Sequence, residues 1–290
     1  MITERTTDNG IAFLDVETPL CTASLCLQGA HLTSWKPRGQ EECLFLSPKA
    51  VFSPGKAIRG GIPICWPWFG TRKNCPAHGI ARTSEWRIHH QETDRQGNQL
   101  LSLALYPEDA GQPAAILRLT LGSSLSMKLE TTVRRLPCNL TEAFHNYFSV
   151  GNLTKCRVLG LENVPFREYA PHPMKHGERP LAPLGCLDRV YDCPTGTGKI
   201  ILEDPVMNRS ITVESAHASS VIVWNPGQQG AADMADLGAD SWNKFLCVEM
   251  GNAAPHTLSL APGQSHTLCQ KISVRNMAGT PAPPQNGGGE

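Results

Sequence analysis

Between Ile11 and Leu46 the chain reads IAFLDVETPLCTASLCLQGAHLTSWKPRGQEECLFL, and the length of its apolar runs decides the fold. AFLDV, CTASLCLQ, HLTSWKP and CLFLS are short, alternate partly between apolar and polar side chains, and are cut by turn pairs such as Arg38-Gly39 and Glu41-Glu42. Runs of about four to eight residues with this alternation read as strands joined in hairpins. The pattern resumes in SEWRIHHQET, QLLSLALYP, ILRLTLGSS and LSMKLETTVRRL, with turns expected at 94–98 and 108–111. It returns in KIILED, SITVES, SVIVWNPG, FLCVEMG and the closing HTLSLAPGQSHTLCQKISVRN. Many short strands at even spacing predict an all-β sandwich or barrel. One short helix is predicted over ADMADLGADSWNKF, where Met234, Leu237 and Trp242 recur at helix-like intervals.

No repeat or linker interrupts residues 1–277, which predicts a single domain, and the Pro/Gly-rich tail at 278–290 has too little apolar surface to order itself. Twenty-six basic residues balance 26 acidic ones, so neither nucleic acid nor a membrane surface is an expected partner. The eleven cysteines are odd in number, irregularly spaced and contain no C-x-x-C pair. With no basic-then-apolar leader and no apolar run near the ~20 residues of a membrane span, they predict reduced thiols and a cytoplasmic location.

Chemistry concentrates in one stretch, AIRGGIPICWPWFGTRKNCPAHGIARTSEW, residues 57–86. Pro63, Pro67 and Pro76 remove backbone donors while Gly60 and Gly61 permit unusual backbone angles, so the stretch reads as a rigid loop. Its tryptophans and arginines suit a small polar ligand, because Arg presents a planar fork of donors to phosphate or carboxylate. Trp66, Trp68 and Phe69 read equally well as a plug for one end of a β core, and Arg59 and Arg82 as partners of internal carboxylates. In NLTEAFHNYFSVG, alternation places Phe144, Asn146, Phe148 and Val150 on one face and Ala143, His145, Tyr147 and Ser149 on the other. In FLCVEMG it separates Leu246, Val248 and Met250 from Cys247 and Glu249. Residues 165–195 read as a long irregular excursion of the kind that is often functional.

Several familiar signatures are absent. TGTGKI at 195–200 lacks the first glycine of a phosphate loop and has Ile200 where a metal-binding Ser or Thr belongs. No G-x-G-x-x-G follows a strand, no H-x-x-x-H supplies a metal pair and no G-x-S-x-G supplies a serine nucleophile. No cofactor and no metal are expected.

IRGGIPICWPWFG, AHGIARTSEW, EAFHNYFSVG, DRVYD, VIVWNPG and CVE, with GAHLTSWKP and LFLSPKAVF upstream, resemble the D-hexose-6-phosphate mutarotases of the galactose-mutarotase-like superfamily. The resemblance runs in order from about Cys21 to Arg275. It implies a large antiparallel β-sandwich with one or two short helices, and a monomeric enzyme that interconverts the anomers of a hexose 6-phosphate without a cofactor. It implies that His145 is the general acid and Glu249 the general base, that Arg59 and Arg82 contact the sugar phosphate, and that His78, Asp188 and Trp66 line the sugar site. On reference values the carboxylate is ionised at neutral pH, and a neighbouring carboxylate would hold the imidazole partly protonated. The same superfamily includes epimerases of unphosphorylated aldoses, and non-catalytic sugar-binding β-sandwiches share the architecture.

Overall fold

The computed structural model describes residues 1–168, 175–177, 179–193 and 197–277. The predicted disordered tail at 278–290 lies outside the described residues, as does part of the glycine cluster at 195–200. The rest of that cluster opens the strand Thr197–Asp204.

Two eight-stranded antiparallel sheets face each other. The front sheet runs Lys175–His176, Pro165–Glu168, Leu187–Asp192, Ser220–Asn225, Phe245–Asn252, Glu142–Phe144 and Ile64–Cys65, with Tyr147–Ser149 also paired to Phe245–Asn252. The back sheet runs Arg157–Leu159, Thr197–Asp204, Arg209–Ala216, Ser265–Asn276, Ser124–Thr132, Ala114–Leu121, Gln99–Leu105 and Arg87–Thr93. A four-stranded meander, Ile2–Thr6, Ala12–Glu17, Cys21–Cys26 and His31–Pro37, contributes further core, and Cys138–Leu140 pairs with Leu258–Leu260 as a small ribbon. Choosing between sandwich and barrel required the pairing order, and facing sheets with separate edges settle it.

Period-two alternation works as the sequence suggests. Leu246, Val248 and Met250 of the central front strand enter the main core with Phe144, Phe148 and Val150, meeting Leu125, Met127, Leu129, Leu268 and Ile272 of the back sheet. Burial of this apolar surface, at ~25 cal/mol per Å², is the main force holding the layers together. Two polar links cross the same space. Asn146 and Gln270 exchange amide hydrogen bonds at 2.9 Å in each direction, and Arg209, almost fully buried, donates to the carbonyls of Glu41, Glu42 and Ser149 at 2.8–3.0 Å.

Three sequence expectations change. The α-helix is Gly227–Asp233, upstream of the predicted segment, and 239–244 forms a 3-10 helix. Gly238, at φ +88°, breaks the predicted helix between them, and Met234, Leu237 and Trp242 instead pack around Phe45, Tyr147 and Phe245. CLFLS contributes only isolated bridges at Leu44 and Leu46. The excursion at 165–195 is largely the edge of the front sheet: Pro165–Glu168 pairs with both Lys175–His176 and Leu187–Asp192.

Candidate active site

A row of registered residues crosses the front sheet on the face turned away from the main core. Asp188 lies opposite Trp224, Trp224 opposite Cys247, and Cys247 opposite Tyr147. Directly opposed residues in an antiparallel sheet point to the same side, so four strands deliver these side chains to one place. Glu249, two positions beyond Cys247, projects to the same side. His145 sits where the chain leaves Glu142–Phe144 before re-pairing at Tyr147, and its N–H donates to the Pro63 carbonyl at 3.0 Å.

The loop at residues 57–86 closes over this row. Its two glycines allow backbone approach: a Cβ on Gly60 would stand 2.4 Å from the Phe45 carbonyl oxygen, and one on Gly61 would stand 2.4 Å from that of Leu32. At the loop's other end Gly79, at φ +78°, packs so closely on Trp66 that a Cβ would lie 1.9 Å from its carbonyl oxygen. His78 takes a left-handed φ of +61°, which turns its ring toward Phe69 (5.0 Å between centroids) and His145 (5.7 Å). Its Nδ1 accepts a hydrogen bond from the Gly70 N–H at 3.3 Å.

His145 and Glu249, 104 positions apart, meet here. His145 Nδ1 stands 3.1 Å from Glu249 Oε1, with His145 7% and Glu249 1% exposed. The approach is close but not aligned as a hydrogen bond, and both Nδ1 and Glu249 Oε2 are buried without a partner among the described residues. Groups of this strength are rarely left unmet in a folded interior. Tyr147 stacks on the His145 ring at 4.7 Å and 18°, and Trp224 meets it edge-on at 5.9 Å. The imidazole is therefore fixed in orientation.

Arg59 and Arg82 belong to the same neighbourhood, since the positive charge of each bears on both His145 and His78. Arg59 Nε faces both carboxylate oxygens of Asp236 at 3.3 Å, and its Nη1 donates to Tyr147 Oη at 3.0 Å. Burial works against this guanidinium, but Tyr147 and Asp236 outweigh it and hold the charge firmly in place. Nη2 has no hydrogen-bond partner among the described residues. Arg82 donates through Nη2 to the Ala77 carbonyl at 2.7 Å and keeps a buried, unpartnered Nε. Asp188 lies near enough for its charge to bear on Glu249, and burial raises its own pKa.

The surroundings move three of these groups away from their reference pKa values. Burial first, then the positive charges of His78, Arg82 and Arg59, push His145 well below the usual imidazole range. Burial, reinforced by Asp188, pushes Glu249 well above the usual carboxylate range. His78 is pulled down to about 4, chiefly by burial and then by the two arginines. Burial thus opposes an imidazolium–carboxylate pair at His145 and Glu249, lowering one group's pKa and raising the other's.

Six of the seven sequence-nominated residues converge: Arg59, His78, Arg82, His145, Asp188 and Glu249. Trp66 does not join them. It is fully buried in the main core, and its indole N–H donates to Thr131 Oγ1 of the back sheet at 2.8 Å, so it braces the loop from behind. Tyr147, Trp224 and Asp236 reach the site without having been singled out. Alternation had already placed Tyr147 on the face of His145, and that signal could have nominated it. Asp236 lay in the segment read as helix, so its approach to Arg59 had no sequence signal.

Comparison with known proteins identifies the family. The profile of the family described as aldose 1-epimerase matches residues 14–273. A provisionally named glucose-6-phosphate 1-epimerase of Escherichia coli K12 is 33% identical over 281 residues, 89% of each chain. A relative from Cenchrus ciliaris with the same provisional name is 34% identical over 84% of this chain and 78% of its own. A crystal structure from Salmonella typhimurium, described as that of a provisionally assigned mutarotase, is 32% identical and superposes with a TM-score of 0.86, covering 95% of this chain and 94% of the other. No helix among the described residues is long and apolar enough to cross a membrane. With the family profile spanning most of the sequence, and two relatives above 30% identity aligned over most of their length, the chain belongs to the aldose 1-epimerase family.

Proposed function

We propose that the protein interconverts the α and β anomers of hexose 6-phosphates, with glucose 6-phosphate as the expected substrate. The observation that carries this reading is the buried approach of His145 Nδ1 to Glu249 Oε1 at 3.1 Å, within the field of Arg59 and Arg82. Anomerisation removes a proton from the anomeric hydroxyl while another is delivered to the ring oxygen. The C1–C2 bond then turns, and the ring closes on the opposite face with the two groups exchanging roles. Both oxygens are attached to one carbon, so acid and base can stand side by side. Each positioned proton-transfer group is worth about 100-fold to 10,000-fold.

His145 serves as acid toward the ring oxygen and Glu249 as base toward the anomeric hydroxyl. The substrate helps set these states. A phosphate held by Arg59 and Arg82 offsets the positive charges that lower the His145 pKa, so binding favours the protonated imidazole. His78 and Asp188 flank the sugar and orient its hydroxyls. The reaction draws on side chains alone, and no cofactor enters this reading.

Two-dimensional exchange NMR on the α and β anomers of glucose 6-phosphate, with and without protein, tests the proposal. Exchange should accelerate for the phosphate ester far more than for free glucose. Arg59→Ala and Arg82→Ala should raise KM for glucose 6-phosphate much more than for glucose. Equal acceleration of both sugars, with arginine substitutions affecting them alike, would assign the enzyme to unphosphorylated aldoses instead.

A further inference from the structure

Cys247 lies directly beneath the acid–base pair and plays no part in anomerisation, yet its position gives the cleft a second chemistry. One ligand atom each from His145, Cys247 and Glu249 lie within 4.8 Å of one another, and all three residues are buried. We propose that these three side chains form a binding site for a thiophilic divalent cation such as Zn2+, which competes with the sugar and switches the enzyme off.

Geometry supports this independently of the catalytic roles. Two N/O ligands at ~2.0–2.1 Å from a tetrahedral zinc ion stand roughly 3.3–3.4 Å apart, close to the 3.1 Å between His145 Nδ1 and Glu249 Oε1. A cation between them needs little adjustment of either side chain. The imidazole nitrogen and the second carboxylate oxygen are also uncommitted: Nδ1 and Glu249 Oε2 are buried with no hydrogen-bond partner among the described residues. Cys247 and Glu249 are alternate residues of one central strand, and His145 packs against the rings of Tyr147 and Trp224, so the set is mounted on rigid elements.

The donor set selects the ion. Imidazole and thiolate favour zinc and its softer relatives, whereas magnesium and calcium require oxygen ligands. On binding, the Cys247 thiol proton leaves to solvent, Glu249 binds as carboxylate with any proton it carries also released, and no electrons are transferred. The two negative ligands neutralise the ion, which limits its repulsion by Arg59 and Arg82. The fourth position remains open to water or a sugar hydroxyl.

The test uses the full-length protein, reduced and stripped of metal, in a Cys75→Ser/Cys186→Ser background that removes the two exposed thiols. Zn2+ titration by calorimetry should show one ion per chain, and Co2+ should give a sulfur-to-cobalt charge-transfer band. Cys247→Ser should abolish that band and weaken Zn2+ binding more than tenfold, and Glu249→Gln should weaken it at least tenfold, with thermal melts confirming that each variant is folded. Stoichiometric Zn2+ should suppress anomer exchange and EDTA restore it. The inhibitory consequence rests on the proposed function, but the binding and the band do not: a band lost in Cys247→Ser supports the site even if no sugar is turned over. Absence of the band, or Zn2+ affinity unchanged in both folded variants, overturns the proposal.

Discussion

At the scale of single residues, the site trades stability for reactivity. Glu249 has a folded-state pKa above its unfolded value, so its contribution to stability is fully present below about 4.5 and is lost as pH rises toward the folded value. At pH 7.5 the native state therefore carries the cost of an ionisable group buried without adequate partners. Glu249→Gln should lower kcat by about 100-fold or more and raise Tm at that pH by at least about 2 °C, measured by exchange NMR and calorimetry. Asp236 works through Arg59. By occupying Nε it leaves Nη2 uncommitted among the described residues. Asp236→Asn should raise KM for glucose 6-phosphate about three- to tenfold with little change in kcat, because it loosens the positioning of a cation and leaves the proton-transfer pair untouched. A steady-state comparison of the two parameters checks this.

At the scale of elements, the loop from Ala57 to Trp86 works because backbone packs against backbone. A β-carbon at Gly79 would collide with the Trp66 carbonyl, which cannot swing aside as a flexible side chain could, and the left-handed φ adds strain. Gly79→Ala should cost about 2 kcal/mol or more in urea denaturation and should displace His78, so activity falls as well. Gly39, also at positive φ but with open space around it, serves as the control and should show strain alone. The neighbouring strand carries His31 at its start, fully buried with Nε2 donating to the Gly60 carbonyl at 2.7 Å. Burial holds its imidazole down to about 4. The unfolded chain therefore takes up a proton below about 6.5 that the native chain refuses until about 4, and stability falls as pH drops through that window. At about pH 5 this residue alone costs ~2 kcal/mol relative to neutrality, which urea midpoints at pH 7 and 5 should register.

At the scale of the whole molecule, two sheets are held in register by a few buried polar links within an otherwise apolar interior. Arg209 satisfies carbonyls from the 41–42 turn and from Ser149 of the front sheet, and is itself almost completely enclosed. Arg209→Ala removes the guanidinium bonds to three carbonyls and should destabilise by about 3–5 kcal/mol, read from the shift in the urea midpoint at unchanged m-value. Relative to that, substitution of exposed Arg87 on the edge strand should fall within about 0.5 kcal/mol.

The amino-acid sequence determined the strands, their inward and outward faces and most of the chemistry, because alternation is local and each strand carries its own. Phe144 and Phe148 inward with His145 and Tyr147 outward, and Val248 inward with Glu249 outward, follow from period two alone. The rigid loop was legible from its prolines and glycines for the same reason, and the family motifs pointed to six of the residues that meet in the cleft. Only the tertiary structure decided that Trp66 belongs to the core, that Asp236 anchors Arg59, that Cys247 lies under the acid–base pair, and that the helix begins at Gly227. It also moved the pKa of His145 down and that of Glu249 up from their ordinary ranges. These depend on strand pairing across a hundred or more positions and on exclusion of water, and neither burial nor the field of distant charges is written in any local run of residues.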